Sequence, residues 1–242
     1  MMGYGDDLAY IHDAGHDRFI RDAAPFLLQC VRKATPNGSL VVDLGCGSGI
    51  WAKTLVEAGY KVLGIDQSAS MTAIARARVP AAEFRTQSFL DAKLPPCGAV
   101  TAIGEIFGYL LDGRNTERRL VAFLRRVYDA LALGGCLVFD VASPGRVRGP
   151  GPQSGHREGA DWAVLVTSAE DKKRQLLTRR ITSFRKVGEL YRRDYEVHRL
   201  RLYRFAELAA PLRQMGFRVR RLAGYGKQPF LRGHIGLLAR KT

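Results

Sequence analysis

Three observations predict an α/β fold: a doubly wound, mostly parallel sheet of seven strands, with an antiparallel β lid inserted after the fifth strand. Between residues 40 and 143, β-branched apolar runs alternate with runs of helical spacing. That alternation belongs to a parallel sheet with helices on both faces. Gly45, Gly47 and Gly49 sit at the junction of the first strand and the first helix of that series. Residues 161–203 hold β-branched and aromatic stretches with no helical pattern between them, and "KVGE" forms a turn between the last two.

The elements follow in order. Residues 17–33 have the apolar spacing of an amphipathic helix, and "NGS" at Asn37–Ser39 is a turn. "LVVDLG" reads as a buried strand, and "SGIWAKTLVEAG" as a helix stopping at Gly59. "YKVLGID" is the second strand, and "SASMTAIARARV" a helix capped by Ser68 or Ser70. "AEFRTQSF" and "AVTAIGE" supply the third and fourth strands. "TERRLVAFLRRVYDALALGG" is a long helix ended by Gly134 and Gly135, and "CLVFDVAS" is the fifth strand. "PGRVRGPGPQSG" reads as a loop, "RFAELAAPLRQMG" as a helix, and "FRVRRLAGYG" and "RGHIGLLARK" as two closing strands. The expected organisation is a core of residues 1–143 with an N-terminal cap helix, an insertion of residues 144–203, and a return to the core over 204–242.

Composition narrows the function classes. With 46% hydrophobic and 25% charged residues the chain is an ordinary globular sequence. It has no apolar run of about 18 residues, so no membrane helix is expected. Cys30, Cys46, Cys97 and Cys136 are isolated, which argues against zinc and a disulfide framework. The polar, acidic start lacks the features of a signal peptide. A cytoplasmic location is expected. The net charge of +15 falls entirely in residues 143–242, which carry 23 Lys/Arg against 8 Asp/Glu. Such a skew raises a polyanionic partner as one reading and a solvated arginine-rich surface as the other.

The glycine loop follows G-x-G-x-G. A dinucleotide fingerprint would read G-x-G-x-x-G, and here Ile50 stands next in line. No Lys-Ser/Thr pair follows it, which removes the nucleotide triphosphate reading. The loop has a partner in Asp66, which ends the second strand. A carboxylate there can accept both hydroxyls of a ribose.

These residues resemble the class I S-adenosylmethionine (SAM)-dependent methyltransferases. The likeness is close over "VVDLGCGSGIWAKTLVEAGYKVLGIDQSASM" and looser through "CLVFDV", about half of the chain. It implies a Rossmann-like core, with SAM as cofactor, S-adenosylhomocysteine as product and no metal. Asp43, with Gly45 and Gly47, would border the methionine end of SAM, Asp66 would hold the ribose, Gln67 and Ser68 would flank the adenine, and Cys46 would be a further cofactor contact. Many relatives carry an aspartate after the third strand. Here Ser88 stands in that place, with Phe89 beside it, and the hydroxyl can still accept one bond. Gly104, a further expected cofactor contact, lies in the segment Ile103–Tyr109, where relatives line the transfer site and substrate contacts are expected. Asp43 as a purely structural hydrogen bonder, Ser88 as a turn residue and Glu105 as a solvated carboxylate remain alternative roles.

Methyl transfer from a sulfonium is an in-line displacement in which the protein mainly orients and desolvates. A base is needed where the acceptor atom starts protonated. Candidates are His12, Glu105 and His198, then His156, Tyr4, Tyr10, Tyr109 and Tyr225. His12 and Tyr10 fall in an N-terminal segment that resembles the cover of SAM in small-molecule relatives. In glycine N-methyltransferase-like enzymes an antiparallel insertion at the 144–203 position roofs the active site. On such a strand His198 shares a face with Glu196 and Leu200. The expected acceptor is a small molecule, anionic if an arginine of the insertion faces inward. Two readings stay open beside it: methylation of RNA or another polyanion, and SAM use without transfer. Nucleic acid is the less favoured partner, and the oligomeric state is left open.

Overall fold

The computed structural model describes residues 4–15, 17–111, 113–149 and 151–242. The apolar runs become Leu40–Leu44 (β1), Lys61–Asp66 (β2), Glu83–Thr86 (β3), Cys97–Ala102 (β4) and Leu131–Ala142 (β5). Between them run Ile50–Glu57 (α3), Ala69–Arg78 (α4) and Glu117–Ala130 (α5). Asp6–Gly15 (α1) and Asp17–Arg32 (α2) precede them. The second sheet follows as Gln153–Glu158 (β6), Trp162–Asp171 (β7), Leu176–Val187 (β8) and Leu190–Arg201 (β9). Then come Phe205–Gln214 (α6), Phe217–Leu222 (β10), the short pair Gly224–Tyr225 (β11) and Gln228–Pro229 (β12), and His234–Lys241 (β13).

The main sheet has the order β10-β13-β5-β4-β1-β2-β3. Its first five strands are parallel, and β13 inserts antiparallel between β5 and β10. Alternation along the strands sorts the core into two layers. Val42, Leu44, Leu137 and Phe139 pack with Leu120, Phe123 and Leu124 of α5 and Leu208 and Leu212 of α6. Val41, Cys136 and Val138 turn the other way, onto Leu27 of α2 and Trp51 and Leu55 of α3. Strand order reverses between β4 and β1, so a crevice opens at the carboxyl ends of β1, β2 and β4. The second sheet, β6-β7-β8-β9, is antiparallel throughout. It touches the core where Tyr109 bridges Leu200 and where α1 packs Leu8 and Ile11 onto Trp162 and Ile181.

Three expectations are corrected. The helix read as running to Gly135 ends at Ala130. Leu131 pairs with Cys97 and Cys136 with Ala99, so residues 132–135 bulge out of the ladder. A Cβ at Gly135 would lie 2.8 Å from the Ala132 carbonyl and 2.9 Å from that of Gly98, so only glycine fits this bulge. The third strand stops at Thr86, because the Ser88 side chain accepts from Leu90 N and starts a 3-10 turn over Phe89–Asp91. The stretch read wholly as loop over 144–155 contributes the first residues of β6. Ahead of the helix expected over 17–33, Asp6–Gly15 forms α1. Of the two candidate caps of α4, Ser68 is the cap: its hydroxyl accepts from Met71 N at 3.2 Å.

Candidate active site

A cavity of about 1380 Å³ lies between the strand tips and the second sheet. Gly45, Gly47 and Asp66 form its core end, and Ile181 and His198 its roof. A single small-ligand pocket usually measures about 300–1000 Å³, so this one has room for two occupants.

At the core end the glycine loop turns through left-handed backbone, with φ of 63° at Gly45 and 52° at Gly47, a region other residues enter at a cost. A Cβ on Gly45 would strike the Ile106 side chain at 2.3 Å. A Cβ on Gly47 or Gly104 would meet no atom within 4 Å, and both glycines line the cavity. Their backbones are thus bared to whatever lies there. Asp66 is fixed by its own neighbours, accepting Gly47 N at 2.9 Å and Ser68 N at 2.8 Å. Burial raises its pKa against the pull of those amides. Asp43 is buried at the tip of β1 and accepts from the Thr101 hydroxyl at 2.8 Å; Trp51 in turn donates to Thr101. Burial pushes the Asp43 carboxyl up to about 7, with the Asp66 charge adding to the effect and the Thr101 bond opposing it.

The other predicted cofactor contacts divide. Cys46, Gln67, Ser88 and Phe89 all line the cavity. Phe89 is braced edge-on against Phe107 and Phe123, at 5.4 and 5.1 Å between centroids. Tyr10 is a correction: the structure does not bring it to the cavity. Its hydroxyl donates to Asp161 at 2.7 Å, and Arg185 lies over its ring at 3.8 Å. Tyr4 occupies the cavity wall instead, with φ of 62°.

Beneath the roof, Tyr4 and Tyr109 share a hydrogen bond of 3.2 Å. His198 packs on both rings, and His12 meets Tyr4 edge-on at 5.3 Å. His198 Nε2 lies 2.7 Å from Glu196. That carboxylate also accepts the amides of Tyr4 and Gly5, so the start of the chain is tied to the roof. Glu196 is half-buried, yet the bonds from His198, Gly5 and Tyr4 hold its pKa below the usual carboxylate range. Burial raises the Tyr4 and Tyr109 hydroxyls, so both keep their protons. Of the remaining candidates, His156 sits on exposed β6 and Tyr225 donates its hydroxyl to buried Asp140 at 2.7 Å.

Glu105 is no solvated carboxylate. It is buried, with φ of 66°, and faces Arg179 at 2.7 Å and Arg146 at 3.3 Å. Burial alone would raise its pKa, but the two guanidiniums outweigh it and hold the pKa low. Asp140 secures this turn by accepting the amides of Gly104 and Glu105, along with Tyr225 and His234. Sequence reasoning missed Asp140, Arg146 and His234. The partners of Asp140 come from three separate segments, and no local spacing signals them.

Residues 41–135 match the family model described as a methyltransferase domain. The chain carries a methyltransferase domain over these residues. A crystal structure of an S-adenosylmethionine-dependent methyltransferase from Clostridium acetobutylicum superposes with a TM-score of 0.80 at 17% identity, covering 96% of this chain and 97% of that chain, so the two share a fold. The trans-aconitate 2-methyltransferase of Paracidovorax citrulli is 54% identical over 105 residues, 43% of this chain and 38% of that protein. The dTDP-3-amino-3,6-dideoxy-alpha-D-glucopyranose N,N-dimethyltransferase of Streptomyces fradiae is 30% identical over 129 residues, 51% of this chain and 50% of that one. The curated relatives at 30% identity or above are matched over 35–50% of their own length. Among the described residues, no helix is long and apolar enough to cross a membrane, and no cluster of three His, Cys, Asp or Glu side chains forms a metal site.

Proposed function

We propose that the protein transfers the SAM methyl group to a small-molecule acceptor held between the core and the second sheet, which serves as a lid. The observation that carries this reading is the continuity of one cavity from Asp66 and the bared backbones of Gly47 and Gly104 to the lid residues Ile181 and His198. The sugar N,N-dimethyltransferase and the trans-aconitate methyltransferase, both named for small acceptors, favour this class over a polyanion. So does the fate of the insertion: its inner face roofs the cavity instead of forming a separate binding module.

The residues fit SAM. Asp66 would present its fixed carboxylate to the ribose hydroxyls, Gly45 and the bared backbone of Gly47 would border the methionine portion, and Gln67, Ser88 and Phe89 would border the adenine. SAM bound there would supply a methyl group on a sulfonium, open to in-line attack by an acceptor lone pair with S-adenosylhomocysteine as the leaving group. The chain's share is to align the acceptor, exclude water under the lid and take up a proton where the acceptor atom carries one. His198 is the base this geometry favours. With Nε2–H donated to Glu196, the neutral ring presents Nδ1 as its lone-pair nitrogen. Glu105, held ionised between two arginines, is a poor base, and Tyr4 and Tyr109 are protonated. His12 closes the N-terminal wall against Tyr4.

The test is to incubate the protein with SAM and a panel of amino sugars and small organic acids, reading S-adenosylhomocysteine by mass spectrometry. Acceptor-dependent product is expected, and His198→Gln lowers kcat by about 10²–10⁴-fold at unchanged SAM affinity. Product that forms only with RNA would reverse the acceptor class.

A further inference from the structure

One carboxylate meets two guanidiniums beneath the lid. Arg179 and Arg146 both point at Glu105, with side-chain exposures of 18%, 18% and 7% in that order. Arg179 comes from β8, while its neighbour Arg180 faces solvent. Arg146 is set by Glu170 of β7. That carboxylate accepts the amides on either side of it, Gly145 at 2.8 Å and Val147 at 3.0 Å. Gly145 takes φ of 90°, a turn that glycine allows. The loop is therefore built to present this guanidinium.

Among the described residues, Glu105 is the one carboxylate at ion-pair distance from Arg146 and Arg179. The other carboxylates close by are already engaged: Asp140 by two amides, Tyr225 and His234, and Glu170 by the amides of Gly145 and Val147. The hydroxyls of Tyr4 and Tyr109, which also face Arg179, stay protonated. Two nearly buried arginines thus share one carboxylate. An uncompensated charge in such a place is costly unless something else pairs with it. A side pocket of about 280 Å³ adjoins the main cavity here. Arg146 and Arg179 line both, and Ser154 and Ser168 line the side pocket alone. The far end of the main cavity carries the acids Asp43 and Asp66.

We propose that the acceptor bears an oxyanion, a carboxylate or a phosphate, which docks on Arg146 and Arg179 at the mouth of the side pocket while its reacting atom faces His198. This rests on the methyltransferase reading above and names its substrate class. Guanidinium forks match the oxygens of carboxylate and phosphate in pairs. The anion supplies the missing counter-charge, and the polarity of the cavity orients the acceptor with its reactive end toward the strand tips. In this role Arg146 and Arg179 determine specificity, with Glu105 spacing them and Glu170 positioning Arg146.

Calorimetry on the protein loaded with S-adenosylhomocysteine tests this, using inorganic pyrophosphate and succinate as separate probes. One of them binds saturably, and which one does so identifies phosphate or carboxylate as the docking group. Its affinity falls by about tenfold or more in Arg179→Met and in Arg146→Met, and falls with added salt. Arg179→Lys, which keeps the charge without the fork, recovers part of it. Each Met variant leaves Glu105 one guanidinium, and affinity for S-adenosylhomocysteine reports that the core is intact. Failure of both probes on a protein that binds S-adenosylhomocysteine overturns the proposal, as does binding unchanged in both Met variants. Failure of S-adenosylhomocysteine itself removes the methyltransferase reading, and this inference with it.

Discussion

Replacing Asp66 with alanine separates a ligand-binding role from a structural one. In the structure its two carboxylate oxygens each hold one backbone amide, Gly47 and Ser68, and the side chain lines the cavity. A carboxylate oxygen accepts more than one bond, so lone pairs remain for two ribose hydroxyls. Losing charged hydrogen bonds to a ligand costs about 1.5–3 kcal/mol, a rise in Kd of roughly 10- to 150-fold. The freed amides open onto the cavity and are reached by water, so the fold survives. Asp66→Asn falls between, because its amide nitrogen must face either Gly47 N or Ser68 N, donor against donor. The assay is calorimetry with S-adenosylhomocysteine beside a thermal melt. A Kd within twofold of the parent, with the melting temperature collapsed, would refute the ribose assignment and make Asp66 a structural clamp.

The raised Asp43 carboxyl makes the ligand-free protein lose stability as pH rises. The unfolded group titrates near 3.8 and the folded one at about 7, so its contribution is complete below pH 4 and is lost on passing through 7, about 4 kcal/mol at most. Urea titrations across that window should show the decline in the parent and a flatter profile in Asp43→Asn; identical profiles would contradict it. Prolonged EDTA treatment should leave turnover unchanged, since displacement at a sulfonium needs no Lewis acid. Activity lost in EDTA and restored by magnesium would be the opposing result.

The core was legible because its signals are local. Gly45 and Gly47 need positive φ, Asp66 follows at the end of the next strand, and the alternation of Val41, Val42 and Leu44 marks a two-faced strand. The inward face of β9 was open between two choices, and His198 and Leu200 turned out to be buried while Val197 and Arg199 are exposed. What was illegible depends on distant partners or on weak periodicity. "ALALGG" has helical composition, yet pairing of Leu131 with Cys97 and the tight approach of Gly135 to Gly98 make it a bulged strand. "QSGHRE" is exposed at every position, so β6 carries no hydrophobic alternation. Tyr10 and Tyr4 both belong to the N-terminal segment, and only the bond from Tyr10 to Asp161 decides which of them faces the cavity. The triad Arg146–Glu105–Arg179 joins three segments separated by 41 and 33 residues in sequence, and composition gave only its sign.

Calorimetric titration of the unmodified protein with SAM, S-adenosylhomocysteine and NAD tests the central claim most directly. The G-x-G-x-G loop, the fixed Asp66 carboxylate and the open space over Gly47 and Gly104 predict saturable binding of SAM and S-adenosylhomocysteine and none of NAD. Tight binding of NAD with no response to SAM would contradict it.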